Sequence, residues 1–116
     1  MMADMRHWQQ WLDHLADRAQ ADMEVQNDVR DRVLRKSREL IRYCSSAIRA
    51  GHRDEWDEAE SLLAEAEELG REMATLTADY AELFYAGYTQ DALKELVEAR
   101  VTLALISDRP LPTIAN

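Results

Sequence analysis

Hydrophobic residues recur at intervals of three and four positions along most of the chain, which is the spacing of one face of an α-helix. The first stripe contains Met5, Trp8, Leu12, Leu15 and Ala19, and the second contains Val29, Val33, Leu40, Ile41, Cys44 and Ile48. A third contains Trp56, Ala59, Leu62, Leu63, Ala66, Leu69, Met73 and Leu76. No stretch shows sustained alternation with a period of two. The pattern therefore predicts an all-α fold, an antiparallel bundle of about four to five helices.

Helix ends are harder to place, because glycine and proline are scarce. The first two stripes are nearly in phase, so one long helix could carry both. Asp22 or Asn27 could equally cap a new helix, and we expect a break within residues 20–27. Gly51 is expected to end the second helix, and Asp54, with further acids after it, to begin the third.

The last third of the chain is predicted to hold two more elements. Gly70 lies inside the third stripe, where glycine weakens a helix by about 1 kcal/mol relative to alanine, so a close helix contact is expected there. Residues 80–88 form a short helix or turn, and residues 89–107 form the last helix with Thr89 as its N-cap. The prolines at positions 110 and 112 end it. We expect one domain, residues 1–116, with residues 108–116 as a C-terminal tail.

The composition is acidic and contains little lysine. The net charge is −9, from 23 acidic and 14 basic residues, and only Lys36 and Lys94 of the basic residues are lysines. This composition is typical of proteins that are soluble at very high salt; the alternative is an ordinary acidic cytosolic protein. The single cysteine, Cys44, excludes an internal disulfide and is expected to fill the core. We find neither a membrane span nor a signal peptide, so a cytoplasmic location is expected.

Five arginines fall on one side of the second helix, opposite its apolar face: Arg35, Arg38, Arg42, Arg49 and Arg53. Arginine binds phosphate oxygens with two parallel hydrogen bonds, so the row can serve as a track for the phosphates of RNA or DNA. Two alternatives remain open. Residues 54–82 hold eleven acids and only one basic residue, so the row can pair with that helix, or it can form an oligomer interface.

Glu95 and Glu98 form the one pair for which chemistry is a plausible interpretation. They lie one turn apart in a narrow polar gap between two apolar sides of the last helix, where uncompensated carboxylates are costly. A divalent cation or an arginine partner, such as Arg42 or Arg100, would neutralise them. The tryptophans at positions 8, 11 and 56 are expected to anchor the core or a subunit interface.

Residues 28–112 resemble the translin family, in particular its archaeal members and the branch of translin-associated factor X (Trax). The resemblance is carried by four stretches and a final tetrapeptide: 35–41 (RKSRELI), 47–53 (AIRAGHR), 82–88 (ELFYAGY), 91–99 (DALKELVEA) and 109–112 (RPLP). It implies an all-α bundle that assembles into hollow oligomers and binds single-stranded RNA or DNA. In the Trax branch a Leu-Gln-Glu-Tyr-Val-Glu-Ala motif supplies two glutamates to a magnesium-dependent endoribonuclease site, and these match Glu95 and Glu98.

This chain departs from the family in three respects. Lys94 and Leu96 replace the glutamine and tyrosine of the motif. Trax-like chemistry also uses acids from a later helix, and the 116 residues here are about half to two-thirds of a family member's length. Translin's own basic segment would fall at residues 85–90, where no basic residue occurs. The resemblance thus implies an incomplete Mg²⁺ site, catalytic and metal-binding, at Glu95 and Glu98.

Two interpretations follow. The first is a translin-like homo-oligomer that binds single-stranded nucleic acid and keeps a remnant ribonuclease centre. The second is a non-catalytic helical scaffold with no nucleic-acid role. A metal-binding bundle unrelated to RNA is a third, disfavoured because no Glu-x-x-His motif accompanies the glutamates.

Overall fold

The computed structural model describes residues 2–107, with side chains described from residue 5 onwards. The described chain is all-helical: α1 spans Met2–His52, α2 Trp56–Leu76, α3 Ala81–Phe84 and α4 Gly87–Ser107. The all-α prediction is confirmed. The expected tail at 108–116 lies outside the described residues.

The expected break within residues 20–27 is wrong, because α1 is one continuous helix of 51 residues. No glycine or proline interrupts this stretch, so the ladder of backbone hydrogen bonds continues through Asp22 and Asn27, whose side chains are exposed. The first half of α1 projects beyond the helical bundle. The molecule as a whole, with this extension, measures 79 × 25 × 18 Å.

The end of α1 lies later than Gly51, which is a buried residue inside the helix. Asp54, with φ 59°, closes the helix in the left-handed region that short polar side chains tolerate. Around it, the Glu55 amide donates to the Ala50 carbonyl at 2.9 Å and the Asp54 amide to the Gly51 carbonyl at 3.1 Å. These two bonds form a Schellman motif, which turns the chain directly into α2.

Gly51 and Gly70 are two places where α4 lies close against a neighbouring helix. A Cβ at Gly51 would overlap the side chain of Leu103 of α4. A Cβ at Gly70 would lie 3.3 Å from Cδ2 of Leu96, also in α4. The close helix contact predicted at Gly70 is therefore confirmed.

The second half of α1 packs with α2 and α4 into a three-helix bundle with one core. α2 runs antiparallel to α1, and α4 returns in the direction of α1, so that the ends of α1 and α4 meet at Gly51. Fully buried side chains from all three helices form the centre: Val33, Leu40, Cys44, Leu63, Met73 and Ala99. The prediction that Cys44 fills the core is confirmed.

Thr89 was expected to cap α4, but the helix begins earlier, at Gly87. The Thr89 hydroxyl is buried and donates to the Leu83 carbonyl of α3 at 2.7 Å. Gln90 adds a second bond, from its side-chain amide to the Phe84 carbonyl at 2.7 Å. Both side chains satisfy carbonyls at the end of α3 and fix the corner between α3 and α4.

Candidate functional site

The five arginines are all exposed and form a row along α1 and just beyond its end, which we call the arginine stripe: Arg35, Arg38, Arg42, Arg49 and Arg53. The first four lie within about 60° on the helical projection of α1, on the side opposite the buried Leu40 and Cys44. From Arg35 to Arg49 the row extends roughly 21 Å along the helix axis, at 1.5 Å per residue.

Within the described residues, the C-terminal end of the stripe is the part that has side-chain partners. Arg53 donates two hydrogen bonds of 3.2 Å to the Glu55 carboxylate, which raise the pKa of Arg53 and lower that of Glu55. Arg49 donates to the Ser46 hydroxyl at 3.2 Å. Within residues 5–107 Arg35, Arg38 and Arg42 form no ion pair with a carboxylate.

Four acids of α2, namely Glu60, Glu67, Glu68 and Glu72, pair with cations outside the stripe. Lys36 pairs with Glu72 at 2.7 Å, and Arg71 pairs with Glu68 of its own helix at 2.9 Å. Among the described residues no arginine of the stripe bonds to α2. The geometric reason is that α2 packs against the apolar side of α1, so its acids cannot reach the opposite side. Of the acids in residues 54–82, Glu55, which directly precedes α2, pairs with Arg53 of the stripe. The pairing that the sequence raised as an alternative therefore holds for Arg53 and, within the described residues, not for Arg35, Arg38 or Arg42.

Arg100 of α4 is the main electrostatic link between α4 and α2. Its guanidinium pairs with Glu60 at 3.0 Å and with Glu67, and all three side chains are partly buried. Arg100 is therefore engaged on the α2 side of α4 and is not the partner of Glu95 or Glu98.

Acidic residues on α1 partly offset the positive charge at the N-terminal end of the stripe. Asp28 and Asp31 line a shallow depression together with Arg35 and Arg38. Glu39 lines a second depression with Arg32, Arg35 and Lys36. Arg42 lines neither of these two depressions, so its positive charge is less offset by these acids than the charges of Arg35 and Arg38.

The sequence reasoning overlooked Arg32 and Arg71. Both line a groove between α1 and α2, beside the pair formed by Lys36 and Glu72. Arg32 lies one helical turn before Lys36, which places the two side chains next to each other on the helix surface. The i,i+4 spacing of Arg32 and Lys36 in the sequence is the signal that indicates this second basic surface.

Glu95 and Glu98 lie at the edge of α4 and not inside a buried helix. Only one side of α4 packs against the bundle; Val97, on the other side, is 63% exposed. Glu98 lies on the exposed side, with 53% of its side chain accessible, and among the described residues it pairs with Lys94 at 3.8 Å. Glu95 is half-buried. The expectation that both carboxylates need a buried counter-charge is wrong for Glu98, because water solvates it.

Cys44 of α1 lies near Glu95 and feels its charge. Burial raises the pKa of the Cys44 thiol to about 11, and the Glu95 carboxylate adds a smaller contribution in the same direction. The thiol is therefore protonated at neutral pH, which makes it a poor nucleophile and a poor metal ligand. Cys44 does not extend the Glu95–Glu98 pair into a larger ligand set.

The glutamate pair could supply only part of the ligand set of a magnesium ion. Magnesium commonly binds through one or two carboxylates and keeps several waters or substrate phosphates, and the open side of Glu98 leaves room for these. Within the part of the chain that the structure describes, no group of three or more His, Cys, Asp or Glu side chains could hold a metal. The pair can contribute two ligands, and water or phosphate must supply the others.

Comparisons of this chain with protein-family models, with curated proteins and with solved structures find no match. The resemblance to the translin family therefore remains a prediction carried by the sequence stretches named above. Among the described helices none combines the length and apolarity that crossing a membrane requires.

Proposed function

We propose that this protein binds single-stranded nucleic acid, RNA or DNA, through the arginine stripe. The observation that supports the proposal is the unpaired state of Arg35, Arg38 and Arg42 within the described residues, in a chain with 23 acidic residues. Exposed guanidinium groups without carboxylate partners can bind phosphate oxygens without first breaking an ion pair. The preference for single strands comes from the resemblance to the translin family.

The decisive test removes two arginines without changing the fold. We expect Arg38→Gln/Arg42→Gln to weaken binding of a fluorescent single-stranded RNA of any sequence. Each lost phosphate contact on a single strand reduces the slope of log affinity against log salt by about 0.7, so the double variant should flatten it by roughly one to two units. Fluorescence anisotropy over a salt series, begun at high salt and lowered, measures the slope.

A matched control is present in the same helix. Arg6→Gln/Arg30→Gln removes the same two charges from exposed positions outside the stripe. This variant has the same net charge as the first, so a general effect of charge would change both slopes equally. The proposal predicts a flattened slope only for Arg38→Gln/Arg42→Gln; equal slopes in the two variants would refute it.

A second candidate function, a non-catalytic scaffold, is favoured by a separate observation. The apolar stripe at the start of α1 is exposed, with Trp8 60% and Leu12 53% accessible, and exposed apolar patches mark interaction surfaces. A pure scaffold would show no retention on single-stranded RNA at any salt concentration at which the protein stays folded.

The magnesium centre at Glu95 and Glu98 is tested separately from nucleic-acid binding. If the pair binds a divalent cation, millimolar Mg²⁺ or Mn²⁺ raises the melting temperature of the wild type, because binding to the folded state alone stabilises it. Glu95→Gln/Glu98→Gln removes both charges and should remove that response. Circular dichroism melts with and without the cation measure it.

The control for this prediction is another pair of glutamates one turn apart. Glu65→Gln/Glu68→Gln on α2 changes two exposed carboxylates with the same spacing. This variant should keep the full cation response if the site lies at Glu95 and Glu98. Loss of the response in both variants would assign it to general screening of the acidic surface, and metal-dependent RNA cleavage that survives Glu95→Gln/Glu98→Gln would place any ribonuclease activity elsewhere.

A further inference from the structure

The first part of α1 is a helix without a partner in the described chain. Every side chain from residue 5 to residue 25 is exposed, and the buried core begins at Val29. Residues 5–28 correspond to about 36 Å of helix at 1.5 Å per residue. A helix of this length gains little stability from propensity alone and usually depends on packing of an apolar face.

That apolar face is present and is wide. Residues spaced by three and four positions form the N-terminal stripe: Met5, Trp8, Leu12, Leu15 and Ala19. Trp11 flanks it and contacts Trp8 edge to face, with 5.3 Å between the ring centroids. The accessible fractions are 72% for Met5, 60% for Trp8 and 49% for Trp11, which is unusual for such large apolar side chains on a free surface.

The N-terminal stripe continues the interface that already holds the bundle together. On the helical projection of α1, Leu12 and Leu15 lie on the same side as Val33 and Leu40, which are buried against α2 and α4. Asp22 and Gln26 are the polar residues that interrupt this side, just before the bundle begins. The same seam thus has a covered half and an uncovered half within one helix.

We propose that a second copy of this chain covers the N-terminal stripe, with the two α1 extensions packed antiparallel. Sterics select the direction. In a parallel pair, both sets of α2 and α4 would lie between the two α1 helices at the same height, because α2 and α4 occupy the same side of α1 as the stripe. In an antiparallel pair the two bundles lie at opposite ends, and each extension covers the free stripe of the other.

The length and shape of the stripe define the register. The free part of the seam ends at residue 26, and antiparallel overlap of residues 5–22 of the two copies places Leu12 against Leu15 of the second copy at the centre. The same register places the large Trp8 against the small Ala19 of the second copy, and large-to-small matching fills the seam without voids. Arg18 then lies on the same flank as Trp11 of the second copy, where a guanidinium can stack on the indole ring.

The assembly has a distinctive size. A single chain has a mass of 13.4 kDa and a longest dimension of 79 Å. The antiparallel dimer has twice that mass and a longest dimension of about 115 Å, because each α1 extends some 58 Å beyond a central two-fold axis at 1.5 Å per residue. We expect light scattering and small-angle X-ray scattering on the full chain to give these values. A monomer at all concentrations, or a dimer no longer than the single chain, would overturn the proposal.

A charge swap tests the register directly. We expect Leu12→Lys alone and Leu15→Glu alone to be monomeric, because each buries two unpaired charges per dimer at the seam. Mixing the two variants should restore a dimer, in which the lysine introduced at position 12 of one copy faces the glutamate introduced at position 15 of the other. The remaining leucines of the two copies then face each other. In a parallel pair the mixture would gain no such contact, since position 12 would face position 12.

Control variants carry the same charges on the polar side of the same helix. Gln10→Lys and Gln20→Glu lie outside the N-terminal stripe and are exposed, so both should dimerise like the wild type. Circular dichroism of the four variants verifies that the bundle is folded, since residues 29–107 contain the whole core cluster. Folded single variants that still dimerise, or a mixture that stays monomeric, would show that the N-terminal stripe is not this interface.

Discussion

Leu40→Ala is expected to cost about 2–5 kcal/mol of unfolding free energy, the usual range for deleting a buried leucine side chain. Leu40 is fully buried on α1, and its Cδ1 lies 3.7 Å from the position a Cβ would take on Gly70. It therefore fills the space where α1, α2 and α4 meet, and helices in contact cannot easily close the cavity. The total unfolding free energy of a native protein is only about 5–15 kcal/mol. The substitution therefore removes a large fraction of the stability.

The matched control is the same substitution on an exposed surface. Leu105 of α4 is 68% exposed, so Leu105→Ala should change the unfolding free energy by no more than about 0.5 kcal/mol. Urea titrations followed by circular dichroism compare the two variants at equal protein concentration. Similar losses in both would mean that α4 is covered on both sides and that the core is not centred on Leu40.

The hydrophobic pattern predicted the core of this fold well, and it predicted helix ends poorly. Spacing identifies the side of a helix that is apolar, and Leu40, Cys44, Leu63 and Met73 are buried as expected. Helix ends depend instead on which competing backbone contacts form. Asp22 could cap a helix in isolation, but nothing breaks α1 there, and its side chain remains exposed in a continuous helix.

The environment of Glu95 and Glu98 could not be obtained from periodicity. α4 is apolar on two sides, and the hydrophobic pattern alone does not indicate whether neighbouring helices cover one of these sides or both. In the described structure only one side is packed, so Val97 is exposed and Glu98 is solvated. The exposure of the arginine stripe was easier to predict. The stripe lies opposite the strongly apolar side of α1, and when that side is buried the opposite side must face solvent.

The two proposals together give the protein a definite layout. In the antiparallel dimer each arginine stripe lies on a separate bundle, and the two copies of Arg38 are roughly 70 Å apart along the helix axis at 1.5 Å per residue. The intervening surface carries Asp13, Asp17 and Glu24, so a strand would not follow it closely. If both proposals hold, such a dimer would contact a nucleic-acid strand at two separated places.

Affinity for a long strand should therefore depend on dimerisation, and affinity for a short strand should not. A strand long enough to reach both stripes is bound twice, and the second contact occurs at an effective concentration that can raise affinity by about 10²–10⁴-fold. Leu12→Gln/Leu15→Gln disrupts the N-terminal stripe without changing the net charge. We expect this variant to bind a long single-stranded RNA at least about tenfold more weakly than the wild type, by anisotropy at one fixed salt concentration.

A short RNA that covers only one stripe is the control, and the wild type and Leu12→Gln/Leu15→Gln should bind it equally. The comparison separates the two proposals, because each fails in its own way. If neither protein binds either strand, the arginine stripe is not a nucleic-acid site, whatever the assembly. If both bind the long strand equally, the stripes act singly, and no second copy brings them onto one strand. A loss confined to the long strand requires both an arginine stripe that binds phosphate and a dimer that presents two of them.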